Sequence, residues 1–219
     1  MSHQIEVEAI LKRLAHRVTL IPTCGTKTPD YLVDEGGLAY LVEVKDKCPD
    51  PTELQHREAT LASRGVYESS TPGGYNNNVS AAIRDGAQQL DAVANETVAF
   101  RALWITVHGR DVDLRFRQVM STLYGVALLG DLDEMPLRTR MCFFFGYSEF
   151  FRCSKQLDAA IVSDHQHAVL LLNPFSRRIA TIRSSKLAAS FVGAVFDPRE
   201  LESTGDAFIA DCDFSRKHT

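Results

Sequence analysis

The chain has 219 residues, 45% hydrophobic and 24% charged, an ordinary globular composition with enough length to bury a core in one domain, 1–219. No apolar run reaches the roughly 18 residues of a membrane span, and residues 1–8 carry acids where a secretory leader needs basic and then apolar residues. The formal charge of −4 excludes whole-molecule attraction to a polyanion, so any nucleic-acid binding has to come from local basic patches. Five cysteines, Cys24, Cys48, Cys142, Cys153 and Cys212, are odd in number and form no C-x-x-C pair. Reduced thiols in a soluble, cytoplasmic protein are the expectation.

Residues 5–18 place Val7, Ile10, Leu11, Leu14 and Val18 on one helical stripe, with Glu8 and Lys12 spaced i,i+4 beside it. A short segment around Leu20 and Ile21 follows, then a polar stretch over 23–28. Residues 31–33, a turn over 34–37 (Asp-Glu-Gly-Gly) and residues 38–45 read as strand, tight turn, strand. Thr52 with Gln55 predicts a capped helix over about 52–64, and 65–78 is a loop rich in Gly, Ser and Asn. Asn78 is placed to cap a second helix over about 79–94, and 102–107 reads as a buried strand. Further strands are predicted over 141–145 and 168–172, a helix near 149–163, a short strand near 179–183 and a helix near 185–192. The order of elements argues for an α/β sandwich.

In the strand over 38–45, alternation sends Tyr40, Val42 and Val44 to one face and Leu41, Glu43 and Lys45 to the other. Apolar residues on both faces mark a central strand, where charged groups are costly unless paired or bound to a metal. Asp30 opens the preceding strand, and a tight antiparallel hairpin brings it to the same neighbourhood. Two carboxylates and a lysine around one point suit phosphodiester hydrolysis: hard oxygen ligands hold Mg²⁺, which polarises a phosphate and acidifies a bound water. Lys45 is placed to orient or help deprotonate that water, or to neutralise charge on the phosphate.

Pro29-Asp30 followed by Glu43-Val44-Lys45 at the end of the next strand resembles the PD-(D/E)XK nuclease superfamily in spacing, flanking strands and residue order. The resemblance implies a restriction endonuclease-like αβββαβ core over about 5–107, a mixed central sheet flanked by helices, and a C-terminal α/β extension over about 108–219. It implies that Asp30, Glu43 and the Val44 carbonyl bind Mg²⁺, with Mn²⁺ as a substitute, that Lys45 assists the water, and that the product carries a 5′ phosphate. In many members a glutamate of the first helix joins the site; Glu8 is the better candidate and Glu6 the alternative. Gln88 and Gln89 are possible accessory residues on the helix after the catalytic strands, but Ala92 and Val93 stand where relatives in the RecB-like exonuclease branch carry a tyrosine.

The implied substrate is nucleic acid, DNA in the first instance. Lys12, Arg13 and Arg17 are candidate phosphate contacts, as are Arg110, Arg115 and Arg117, Arg138 and Arg140, and Arg177, Arg178, Arg183 and Lys186. Tyr67 and Tyr75 are candidates for stacking on bases. His165 and His167 invite a zinc reading that lacks a third ligand, and a turn is the plainer account. Cys24 reads as a packing residue. With no recognisable DNA-reading module, sequence recognition needs a partner protein or is absent, and a protein partner or homo-oligomer is expected, within a restriction, defence, transposition or repair system. The competing expectation is a catalytically silent protein of the same fold, acting as a nucleic-acid-binding or structural subunit.

Overall fold

The computed structural model describes residues 3–14, 17–22, 27–47, 51–67, 72–93, 97–109, 111–131 and 138–210. The first helix, α1 (His3–Arg13), turns Val7 and Leu11 inward. It ends sooner than the stripe suggests. Leu14 still donates to the Ile10 carbonyl at 3.1 Å, but Val18 lies in strand β1 (Arg17–Leu20). There it faces Val33 of β2 (Tyr31–Asp34), a pairing that suits a β-branched side chain better than a last helical turn does.

The hairpin of β2 and β3 (Ala39–Lys47) forms as expected. Asp34 Oδ1 accepts from Gly36 N at 2.9 Å and Gly37 N at 2.8 Å. Both glycines have positive φ, 86° and 104°, which only glycine adopts without strain. Helix α2 (Pro51–Ala62) follows; the Thr52 cap lies outside the described side chains. Helix α3 (Asn77–Ala92) is capped by Asn76, not Asn78: its side chain accepts from the backbone of Asn78 and Val79, both at 3.0 Å. The helix thus starts two residues earlier than Asn78 predicts, because Asn76 keeps the extended backbone a cap requires.

Beyond β4 (Phe100–Val107) come α4 (Val112–Tyr124), β5 (Ala127–Asp131), β6 (Arg138–Phe143), α5 (Glu149–Arg152), β7 (Ala159–Ser163), β8 (Ala168–Leu172), α6 (Ile179–Arg183), α7 (Lys186–Ser190), β9 (Val195–Phe196), α8 (Pro198–Ser203) and β10 (Ala207–Ile209). Two sequence expectations fail here. The stretch 149–163 is not one helix: α5 is a single turn, and Ala159 to Ser163 form a fully buried strand between β4 and β8. The segment 179–183 is a helix despite its isoleucines and threonine, with Ile182 buried in the core.

The result is a mixed α/β protein. A seven-stranded mixed sheet runs β1-β2-β3-β4-β7-β8-β9, and a three-stranded sheet runs β10-β6-β5, with helices flanking them. Strand β2 pairs antiparallel with both β1 and β3, whereas β3, β4 and β7 pair in parallel. The large sheet is packed on both faces. On one, Leu41, Leu103, Ile105 and Val162 meet Ile83, Ala87 and Leu90 of α3. On the other, Tyr31, Tyr40, Val42, Phe100 and Trp104 meet Val7 and Leu11 of α1. Each fully buried large side chain contributes about 1.5–3 kcal/mol, so β3, covered on both faces, is held in place by the best-packed part of the molecule. Among the described residues no helix is long and apolar enough to cross a membrane.

Candidate active site

The alternation along β3 is as the sequence predicts: Tyr40, Val42 and Val44 enter the α1 side of the core, and Leu41 enters the α3 side. Glu43 and Lys45 therefore emerge beneath α3. Tyr31 is opposite Val42 in the hairpin, and one further step of that register sets Asp30 beside Glu43. Asp30 is anchored at two points. Its carbonyl accepts from Ile21 N at 2.8 Å, and its Oδ2 accepts from Val44 N at 2.8 Å. The peptide between Glu43 and Val44 is thus bound directly to the Asp30 carboxylate.

Glu43 is 2% exposed. Its Oε1 lies 2.8 Å from Lys45 Nζ, and its Oε2 is buried with no hydrogen-bond donor among the described residues. Burial pushes the Glu43 pKa from its ordinary 4.5 up to about 7; the hydrogen bond from Lys45 pulls it back, and the nearby Asp30 carboxylate pushes it up again. These facts agree with one another, because a carboxylate beside a carboxylate gains no donor unless one of them takes up a proton. Burial also works against the Lys45 ammonium, but hydrogen bonds to Asp85 and Glu43 outweigh it and raise the lysine pKa.

Asp85 of α3 is the member that the sequence reading missed. Its Oδ2 lies 2.7 Å from Lys45 Nζ and its Oδ1 lies 2.6 Å from Lys27 Nζ. Hydrogen bonds from Lys27 and then Lys45 hold its pKa down to about 2. Gln89, one turn on, donates to Asp85 Oδ2 at 2.8 Å. The next residue explains how α3 comes so close: a Cβ on Gly86 would stand 2.6 Å from Leu103 Cδ1, 3.4 Å from Glu43 Cγ and 3.5 Å from Lys45 Cε. An aspartate four residues before a glutamine, with a glycine beside it in an otherwise regular helix, was the available signal.

Of the other candidates, Gln89 joins the network and Gln88 is exposed. Glu8 stands on α1, across the sheet from Glu43, with its carboxylate 2.6 Å from Lys12 Nζ. Its reach toward the site passes through Tyr31, whose pKa is raised to about 12 by burial and then by Glu8 and Asp30. Lys12, Arg13 and Arg17 are exposed; Arg17 lies opposite Asp34 and helps lower its pKa, after the two glycine N–H bonds. Arg183 is paired with Asp197, and Arg178 with Asp158 at 3.5 Å, so part of the basic cluster around 177–186 is spent inside the fold. Tyr75 Oη lies 2.9 Å from Glu149 Oε1 and 2.8 Å from Ser80 Oγ. The His167 ring pairs with Asp164 at 3.6 Å in the turn before β8. Cys24, Arg110 and the side chain of Arg138 lie outside the described residues.

Among the described residues no set of three or more His, Cys, Asp or Glu side chains is gathered for a metal ion. The donor set at the hairpin is smaller: the neighbouring Asp30 and Glu43 carboxylates, the second with an oxygen that has no donor among the described residues, and the backbone carbonyl of Val44, the residue after Glu43. Such a set fits Mg²⁺, which commonly takes one or two protein carboxylates and completes its octahedron with water and phosphate oxygens. A cation there would satisfy Glu43 Oε2 and offset both the burial that mainly raises its pKa and the Asp30 charge that adds to the rise. No family model, curated protein or solved structure matches this chain.

Proposed function

We propose that this chain is a divalent-metal-dependent nuclease of the PD-(D/E)XK type, hydrolysing phosphodiester bonds in nucleic acid, DNA in the first instance. The observation that carries the reading is the buried Glu43 carboxylate with one oxygen lacking a donor, set beside Asp30 and within reach of Lys45. The order α1-β1-β2-β3-α2-α3-β4, with three antiparallel strands and a fourth parallel to the third, supports the αβββαβ core that this family shares. Residues 108–210 add α4 to α8, strands β7, β8 and β9 of the large sheet and the whole three-stranded sheet as the extension.

In this reading Asp30, Glu43 and the Val44 carbonyl hold Mg²⁺ or Mn²⁺. The bound ion supplies polarisation of a phosphate oxygen and a water acidic enough to attack near neutral pH. Asp30 would bind through a carboxylate whose orientation is fixed by Val44 N, and Glu43 would bind through its ionised carboxylate. Lys45 keeps its ammonium at the metal pair. From there it orients the attacking water or neutralises charge building on the phosphate.

The same Lys45 contacts give the competing reading its one support, since an ammonium shared by Glu43 and Asp85 is also how a silent site would neutralise itself. Incubation of the protein with linear and circular, single- and double-stranded DNA and RNA separates the two, with Mg²⁺, Mn²⁺ or EDTA, beside Asp30→Ala and Lys45→Ala. Metal-dependent cleavage lost in both variants is expected. Cleavage that survives both substitutions sinks the assignment.

A further inference from the structure

Asp85 binds two ammonium groups that differ in burial. Lys27 is 74% exposed and Lys45 is 18% exposed, while Glu43, on the far side of Lys45, is 3% exposed. Cation and anion alternate from solvent to the buried carboxylate: Lys27, Asp85, Lys45, Glu43. A divalent ion on Glu43 and an ammonium on the same carboxylate repel one another, and the ammonium stays only if an anion holds it from its other side. Asp85 occupies that side. It is itself fixed by Gln89 Nε2 at 2.8 Å and by the close approach of α3 that Gly86 permits.

We infer that Asp85 is a positioning residue that retains Lys45 at the site when Glu43 exchanges an ammonium partner for a divalent cation. The inference rests on the nuclease reading, in that it takes Asp30 and Glu43 as the metal pair. Without Asp85, Lys45 falls back on Glu43 and competes with the ion for it. With Asp85 present, Lys45 gives up one of two anionic partners and keeps the other, so the ion enters without expelling the lysine.

The test is calorimetric titration of Mn²⁺ alone, at mildly alkaline pH, into the wild type, Asp85→Asn, Asp85→Glu, Lys45→Met and the Lys45→Met/Asp85→Asn double variant, with circular dichroism as the control for folding. Asp85→Asn is expected to weaken Mn²⁺ binding about tenfold, the size of one charge-assisted hydrogen bond redirected to Glu43. In the Lys45→Met background the same substitution should change binding by less than about threefold, the residue of long-range Coulomb attraction. Asp85→Glu, which keeps the anion, should recover most of the affinity. Equal losses in the two backgrounds, or no loss in the wild-type background, overturn the positioning role. A wild type that binds no Mn²⁺, or one whose binding ignores Asp30→Asn, sinks the metal reading itself; intact binding indifferent to Asp85 sinks only this inference.

Discussion

Glu43 on β3 and Asp158 at the entry to β7 are both buried carboxylates of the parallel part of the large sheet, at 2% and 1% exposure. Asp158 is saturated with donors. Its Oδ2 accepts from Arg101 N at 2.9 Å and its Oδ1 from Ser176 Oγ at 2.5 Å, with the guanidinium groups of Arg101 and Arg178 each at 3.5 Å. Glu43 has one ammonium, one oxygen with no donor among the described residues, and a second carboxylate beside it. A buried acid with all its needs met is part of the frame. One left short of donors, beside another acid, is a place where a ligand completes the structure.

On the proposed reading, the largest effect should come from removing the anions that would hold the cation. Asp30→Asn or Glu43→Gln is expected to lower kcat about a thousandfold or more, about 4 kcal/mol of transition-state stabilisation, with the circular dichroism spectrum unchanged. Steady-state cleavage assays check this. A Glu43→Gln variant that cleaves like the wild type would erase the distinction between the two carboxylates. The mirror-image experiment is Asp158→Ala, which leaves Arg101 N and Ser176 Oγ without their buried acceptor, while the Arg101 guanidinium keeps Asp91. It is expected to cost about 2–4 kcal/mol of stability in urea unfolding, while kcat per folded molecule stays near wild type.

The two acids should also part company in their response to pH. Glu43 has a folded-state pKa raised from 4.5 to about 7, so the folded chain holds a proton there that the unfolded chain has already lost. Its effect on stability is therefore absent below pH 4.5, grows as a loss while pH rises from 4.5 to about 7, and is constant above that. The full span is worth about 3 kcal/mol against the metal-free fold. Urea unfolding in EDTA across that window should show the decline in the wild type and a flatter profile in Glu43→Gln. Addition of Mg²⁺ should recover much of the loss at pH 8, because the ion takes the proton's place. The Asp85 shift runs the other way and lies lower, between 3.8 and about 2. It therefore leaves the Glu43 window clear.

The difference between the two carboxylates was half legible in the sequence. The hairpin was readable because β3 is covered on both faces, so its strict alternation of Tyr40, Val42 and Val44 against Leu41, Glu43 and Lys45 carries the strand period and exposes the two charges as anomalies. The setting of Asp158 was not readable. The run that follows it, 159–163, is short and apolar, and such a run cannot be told from a buried helix by periodicity alone. Ile179 to Arg183 misleads in the opposite sense: β-branched residues favour a strand, but the single turn of α6 is set by the burial of Ile182. Asp85 was hidden for a further reason. Its role depends on how close α3 comes to β3, which no pattern within the helix reports except the glycine beside it. Helix phase does separate Gln89 from Gln88, since Gln89 shares the buried side with Gly86 and Leu90.

That closeness gives the smallest and most local test. Gly86→Ala adds a methyl group 2.6 Å from Leu103 Cδ1, well inside van der Waals contact, in a core where Leu103 is fully buried. The substitution gains about 1 kcal/mol of helix propensity but incurs about 1–3 kcal/mol of overpacking, for a net loss of about 0–2 kcal/mol. The stability change should therefore be modest. The catalytic change should be larger, because relief of the clash moves α3 outward and carries Asp85 away from Lys45, while Asp158 and its donors stay where they are. A thermal melt beside kcat measurement decides it. A variant that loses stability without losing kcat would show that the α3 approach serves packing alone; one that keeps its melting temperature and loses kcat would place the demand for glycine at the site.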